Sequence, residues 1–340
     1  MTDGTGPLVS VLLLTYNSAP ILERCLDAVR GQTYPRVETV VVDNASADGT
    51  AALLRARGDL DVVVVNDDNV GFARGMDQAL ALCSGDVVVF LNADCLLEAQ
   101  FVERAVEAVG AGADVVGATV VRLADPDAPI ALPGSYLLDG AVLGVSGTLR
   151  VRHLQQQDAV QPTFKPNGAC PVVSRDLLER MAAEYGVEGF DPLFDTYAED
   201  IDFAFRAAAV GGRTVCRRDL LAWHIRSFSG TGQSVVDKRG RIRVNVVAGR
   251  HLNCWRHLPP LRAAATAVVL TVQDVALVAL AASRGDTTAA RDVARAWRRV
   301  ARAAGDTRAF RRRHRTWQQV GSAARMPGPP RTDMDVSLPA

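Results

Sequence analysis

The stretch VVVFLNADC, residues 87–95, decides the fold. Val87 to Leu91 form an unbroken apolar run, which is what a strand covered on both faces requires. Asn92, Ala93 and Asp94 then place an amide and a carboxylate where such a strand ends. In open α/β sheets, ligands bind outside the carboxyl ends of the strands. Asp94 therefore stands where chemistry is expected, and equally where a carboxylate could cap the helix expected over the following CLLEAQFVERAVEAVG.

The same pattern repeats on the N-terminal side. VSVLLLTYN (9–17), VETVVVDNAS (37–46) and DVVVVND (61–67) are apolar runs with polar ends. Between them, ILERCLDAVRGQ, TAALLRARG and FARGMDQALALCSG have helical spacing and glycine stops. This alternation predicts an α/β fold: a Rossmann-like, mostly parallel sheet flanked by helices. Further on, DVVGATVVRL reads as a strand, 133–164 as loops or a hairpin, and YAEDIDFAFRAAAVGG as a helix. RTVCRRDLLAWH brings a last strand to His224, and from about Arg239 the chain is mostly helical.

Charge divides the chain. Residues 1–237 hold 18 Lys+Arg and 32 Asp+Glu, a balance of −14; residues 238–340 hold 20 and 6, a balance of +14. We expect a catalytic domain over 1–237, a basic helical region over 238–325 and a disordered tail over 326–340. Hydrophobic residues make up 48% of the 340, enough for a sizeable core. The six cysteines have neither knuckle nor framework spacing, which suits a reducing compartment. No basic stretch leads into an apolar one at the N-terminus, so a cytoplasmic location is expected. Gln273 and Asp274 interrupt the apolar segment 263–283, so no membrane span is expected there. Arg291, Arg295, Arg298, Arg299 and Arg302 recur at helical spacing near Trp297. They suit a solvated face or a peripheral contact with anionic lipid on the inner face of the membrane.

Several polar strand ends have two readings each. Asp43 can accept from the N3–H of a pyrimidine or from backbone N–H groups in a turn. NVGFARG (69–75) lets backbone approach a ribose or phosphate, or simply starts a helix. Glu199, Asp200 and Asp202 in AEDID favour the helix dipole or supply a general base. At helical spacing Glu199 and Asp202 share a face and Asp200 does not. His224 is a buried core histidine, or a ligand if Asp94 holds a metal.

Taken in order, VSVLLLTYNS, VVVDNASADGT, NVGFARG, VVFLNADC, the segment from Asn167 to Val215 and LAWHIRSFSG resemble the family 2 glycosyltransferases, and especially their rhamnosyltransferase-like branch. The likeness covers roughly residues 8–255, and the helical region over 255–318 resembles that branch's C-terminal extension. It implies a GT-A fold and a nucleotide-sugar donor, UDP- or dTDP-linked, with rhamnose the leading sugar. Donor contacts are implied at Thr15, Tyr16, Asn17, Asp43, Asn69, Gly71, Phe72, Gly75 and Asn92, with Gly168 and Ala169 lining the sugar and acceptor. Asp94 matches the ligand of an Asp-x-Asp metal site for Mg²⁺ or Mn²⁺, His224 completes it, and Asp200 in the Glu199–Asp200 pair matches the base. Three positions depart from the pattern: Asn92 replaces the first acid, Met76 stands where Asn is common, and His251 leaves Arg250 alone as a phosphate clamp.

The implied reaction is inverting transfer to a hydroxyl of a bacterial cell-envelope glycan, lipid-linked acceptor or small molecule, with no nucleic acid partner. Its rivals are a non-catalytic sugar-nucleotide-binding scaffold and a nucleotidyltransferase. The second lacks a Gly-rich triphosphate loop after the first strand, which ends in TYNSAP.

Overall fold

The computed structural model describes residues 6–123, 138–143, 149–154, 160–225, 235–316 and 318. The N-terminal part alternates: β1 (Val9–Thr15), α1 (Ala19–Arg30), β2 (Val37–Asp43), α2 (Thr50–Ala56), β3 (Val62–Val65), α3 (Phe72–Leu82) and β4 (Val87–Asn92). Next come β5 (Cys95–Leu97), α4 (Phe101–Gly110), β6 (Val115–Leu123), β7 (Leu138–Leu143), β8 (Leu149–Leu154), β9 (Val160–Pro162) and β10 (Val172–Ser174). Then follow α5 (Arg175–Tyr185), α6 (Glu199–Ala209) and β11 (Thr214–Ile225). Helices α7 (Gly240–His257), α8 (Pro260–Ser283), α9 (Ala289–Arg302) and α10 (Ala304–His314) form the C-terminal layer.

The main sheet has the order β3-β2-β1-β4-β10-β6-β11-β5, with β9 also on β11. Neighbours β3, β2, β1 and β4 run parallel, as do β6 and β11, whereas β10, β5 and β9 pair antiparallel. β7 and β8 form a separate antiparallel pair. The apolar runs are long because both faces are covered. Leu13, Val41 and Val89 pack with Leu22, Leu26 and Phe101 from α1 and α4. Leu12, Val40 and Val88 pack on the other side with Met76, Leu177 and Phe203 from α3, α5 and α6.

The sequence expectation fails after Asp94. Cys95–Leu97 is a strand and the helix begins only at Phe101, so Asp94 caps no helix. Three residues suffice for β5 because its ladder to β11, with Leu96 opposite Trp223, supplies the hydrogen bonds that a helix would otherwise provide. The tail 326–340 lies outside the described residues.

The C-terminal layer is joined to α6 by buried charge. Asp202 is fully buried and bonds Arg206 Nε at 2.7 Å and His257 Nε2 at 2.8 Å, with Arg256 at 3.3 Å. Burial opposes its ionisation, but the guanidiniums of Arg256 and Arg206 and the bond to His257 outweigh that and hold the carboxyl far below the usual range. Burial drives the His257 imidazole down to about 4. Asp202→Ala would leave two guanidiniums buried without their counter-charge. A loss of about 3–5 kcal/mol is expected, read as a lower midpoint in urea unfolding.

Candidate active site

The edge of the sheet at the end of β4 collects the polar residues. The β5–β11 ladder places Cys95 opposite His224, and Ile225 N donates to Asp94 O at 2.9 Å. This register sets His224 Nε2 2.9 Å from Asp94 Oδ1, with both side chains buried. Asp94 Oδ2 and His224 Nδ1 are also buried and have no hydrogen-bond partner among the described residues. Such an arrangement fits a divalent cation. An anionic oxygen lacks a donor, and the 2.9 Å separation is close to the ~3 Å between neighbouring ligands in an octahedral shell with bonds of about 2.1 Å. Among the described residues no third His, Cys, Asp or Glu joins the pair, so oxygens of a bound diphosphate would have to complete the shell.

A chain of contacts carries this edge to the carboxylates of α6. Asn92 N donates to Ala169 O at 2.9 Å, fixing the 167–169 loop on β4. At the next residue back, a β-carbon on Gly168 would lie 3.1 Å from Asp200 Oδ2. Asp200 is partly open to solvent and is ion-paired with Lys165. Behind it lies an apolar crevice lined by Phe90, Phe164, Phe190 and Phe203.

The three acids of AEDID thus have three environments. Asp202 is committed to the buried ion network and cannot reach a substrate. Glu199 faces inward, and burial first, then the neighbouring charge of Asp200, pushes its carboxyl up to about 8. Of the three, only Asp200 is both accessible and beside the loop. The backbone entering α6 is unusual: Tyr197 and Ala198 have φ of 69° and 72°, a left-handed conformation that costs residues with side chains about 1–3 kcal/mol each. It is held by Asn253 Nδ2, which donates to Ala198 O at 2.9 Å, and by the close approach of Gly249 to Ala198.

The expected donor residues divide. Tyr16 is exposed at the tip of β1. Asn17 accepts from Ala47 N, and Asn69 Oδ1 accepts from Gly71 N at 3.0 Å, so both shape loops at that edge. Gly71 has φ 91° and lies against Asp195 and Arg241, where a side chain would collide.

Others lie elsewhere. Asp43 is fully buried, accepting from Thr15 Oγ1 at 2.8 Å and from Ser46 N at 3.0 Å, which is the turn reading rather than an open base-reading carboxylate. The Thr15 hydroxyl is used in that bond. Phe72 packs on Phe190, with ring centroids 5.5 Å apart. Gly75 lets α3 approach Leu14, and Met76 is in the core. Arg250 is paired with Asp274 of α8 at 2.7 Å instead of standing free as a clamp. A helical segment brings its apolar face to the sheet first, which explains why Gly75 and Met76 turn inward.

Three residues escaped the sequence reading. Asn44 is buried and ties the 69–71 loop to β2, its amide donating to Asn69 and Gly71 O and its oxygen accepting from Val70 N. Lys165 meets Asp200 across 35 residues of sequence. Arg241, half-exposed and held by two 2.7 Å bonds to Asp195, lies beside Gly71 and is close enough to Tyr16 to interact electrostatically. Only VDNAS offered a local signal, since Asn after a strand-end Asp suits a loop-organising amide.

The model of "Glycosyl transferase family 2" matches residues 10–169, which include Asp94 and Gly168 but not Asp200 or His224. The glycosyltransferase AglE of Haloferax volcanii is 37% identical over 123 residues, 34% of this chain and 40% of that protein. The chain therefore spans less than half the length of this relative. The N-acetylglucosaminyl-diphospho-decaprenol L-rhamnosyltransferase of Mycobacterium tuberculosis is 26% identical over 287 residues, 77% of this chain and 89% of that one. The mannosyltransferase PcManGT of Pyrobaculum calidifontis, solved with GDP-Man and Mn²⁺, superposes with a TM-score of 0.52 at 21% identity, covering 94% of this chain and 86% of that one. The fold is accordingly the GT-A fold, with its central sheet flanked by helices.

Glu199 has a measurable signature. In the unfolded chain it ionises near 4.5, whereas the fold keeps it protonated up to about 8. The unfolded state is therefore increasingly favoured as pH rises between these values, and stability is lost across that window. Glu199→Gln removes the effect. Its stability relative to wild type should climb from pH 4.5 to pH 8 and then level off, checked by urea unfolding at stepped pH.

Proposed function

We propose that the chain is an inverting glycosyltransferase that moves a sugar from a nucleoside-diphosphate donor to an acceptor hydroxyl. The observation that carries this reading is the separation of the α6 acids, with Asp200 alone accessible and facing the Gly168 loop at the ligand-binding edge. The acceptor oxygen attacks the anomeric carbon from the face opposite the diphosphate. A bond forms to the acceptor as the bond to the diphosphate breaks, and the acceptor proton passes to Asp200. Lys165 pairs with Asp200 and aims it at the loop, yielding its place to the acceptor hydroxyl. Gly168 leaves room for the sugar, because a side chain there would crowd Asp200.

On the donor side, Tyr16, Asn17, Asn69 and Gly71 border the nucleotide, and Arg241 offers a guanidinium to the phosphates. Asp94 and His224 would hold Mg²⁺ or Mn²⁺, which when bound neutralises charge on the departing diphosphate. Asn92, half-buried at the end of β4, would offer the donor a neutral hydrogen-bonding group in place of a second carboxylate. The name of the mycobacterial relative supports L-rhamnose as the first sugar to try and a polyprenyl-diphosphate-linked sugar as the first acceptor class, with dTDP as the carrier that the sequence resemblance implies. Mass spectrometry over a panel of UDP, dTDP and GDP sugars tests both.

Asp200→Asn keeps the shape and removes the base. Transfer should fall by about 10²-fold or more, while affinity for the nucleoside diphosphate changes less than about tenfold. Product assay and calorimetry on one preparation read both quantities, and near-normal turnover would overturn the assignment.

Asp94→Ala should abolish the gain in nucleoside-diphosphate affinity that Mn²⁺ gives the wild type. Calorimetry with and without chelator shows this, and equal wild-type affinity in both would remove the cation from the scheme.

A further inference from the structure

Helix α8 has two opposite apolar faces, and only one is covered. Ala263, Thr266, Leu270, Asp274, Leu277 and Ala281 are buried at intervals of three and four residues, forming one stripe against the protein. On the opposite side, about half a turn away, Leu261, Ala265, Val268, Val272, Val275 and Ala279 are exposed. Leu261 is 89% exposed, Val268 65% and Val272 63%, values unusual for large aliphatic side chains repeated along one line. The helix is 24 residues long and contains an 18-residue window of mean hydropathy 1.9, enough by length and composition to cross a membrane.

The polar residues of α8 do not serve the outer face. Thr271 Oγ1 donates back to Ala267 O and Ser283 Oγ to Leu280 O, both at 2.8 Å. Asp274, which breaks the apolar segment in the sequence, is fully buried. It accepts from Arg250 at 2.7 Å and Trp297 Nε1 at 2.9 Å, and pairs with His251 at 2.8 Å. A helix crossing a bilayer would have to tear these four groups apart, whereas one lying along a surface keeps them.

Charge names the partner. Arg262 and Arg284 bracket the apolar line, and the neighbouring α9 exposes Arg291, Arg295, Arg298 and Arg302. Residues 238–340 carry +14. Trp297 is partly exposed, its indole N–H already engaged, as suits an interfacial tryptophan.

We infer that the outer face of α8 seats along the surface of an anionic phospholipid bilayer, its valines and leucine among the acyl chains and the surrounding arginines at the headgroups. This surface is distinct from the sugar-transfer edge, and the inference stands whether or not that reading holds.

The test is flotation of the full chain with vesicles of phosphatidylcholine containing about one third phosphatidylglycerol, with no sugar donor or acceptor present. Wild type should bind these vesicles, and bind pure phosphatidylcholine more weakly. Val268→Asp with Val272→Asp alters only exposed positions and should reduce binding at least about tenfold, with thermal unfolding unchanged. Should that variant misfold, Val268→Ser with Val275→Ser gives the same readout. Wild-type protein that does not float, or a folded variant that floats equally well, overturns the proposal. So does a lipid-free wild-type dimer that the same substitutions make monomeric, because the face would then belong to a second copy of the chain.

Discussion

The buried charge of Asp202 is the constraint on which the rest depends. It sits one turn into α6 and meets Arg206 from the same helix and Arg256 and His257 from α7. Arg206 also donates to Gly189 O at 2.7 Å, and His257 stacks flat on Phe205 with ring centroids 4.6 Å apart. One carboxylate therefore fixes the helix that bears Asp200, the loop before it and the C-terminal layer behind it. Removing several charges from water is costly, and close pairing offsets that cost only in one geometry. The network thus specifies position more than it adds stability.

That fixed position explains how adjacent acids acquire opposite characters. The left-handed turn at Tyr197 and Ala198 drops the chain into α6 so that Glu199 points inward and Asp200 outward. Burial keeps the first neutral, while the second stays open to solvent and paired with Lys165. The pattern in which environment drives neighbouring carboxyl groups apart is a general route to acid and base roles on one element. The strain sits where the functional carboxylate enters, and α7 holds it through Gly249 and Asn253.

The C-terminal layer consequently has two tasks on its two sides. Its inner side closes over α6 through Phe205, Cys254, Leu258, Ala263 and Leu270. Its outer side, along α8, presents an aliphatic line that no described part of the chain covers. Asp274 belongs wholly to the inner side, where it orders Arg250, His251 and Trp297. The same residue occupies Arg250, which the sequence reading left as a free clamp, and leaves the outer face of α8 free of its charge.

Much of the sheet was legible because strand and helix periods are local properties. Runs such as Val87–Leu91 can satisfy themselves only between two covered faces, and their polar ends marked the ligand edge. Helical spacing also separated Asp200 from Glu199 and Asp202. Other features depend on contacts between distant segments. Asp94 meets His224 across 130 residues because β5 is a strand on β11 and not the start of a helix. Asp43 closes on Thr15, Gly75 on Leu14, and Lys165 on Asp200, pairings that no local pattern encodes. The sequence by itself determined which segments form strands and helices and where polar groups gather. The tertiary structure alone decided which of those groups face solvent and which are consumed by partners, because burial and pairing depend on what the rest of the chain brings alongside.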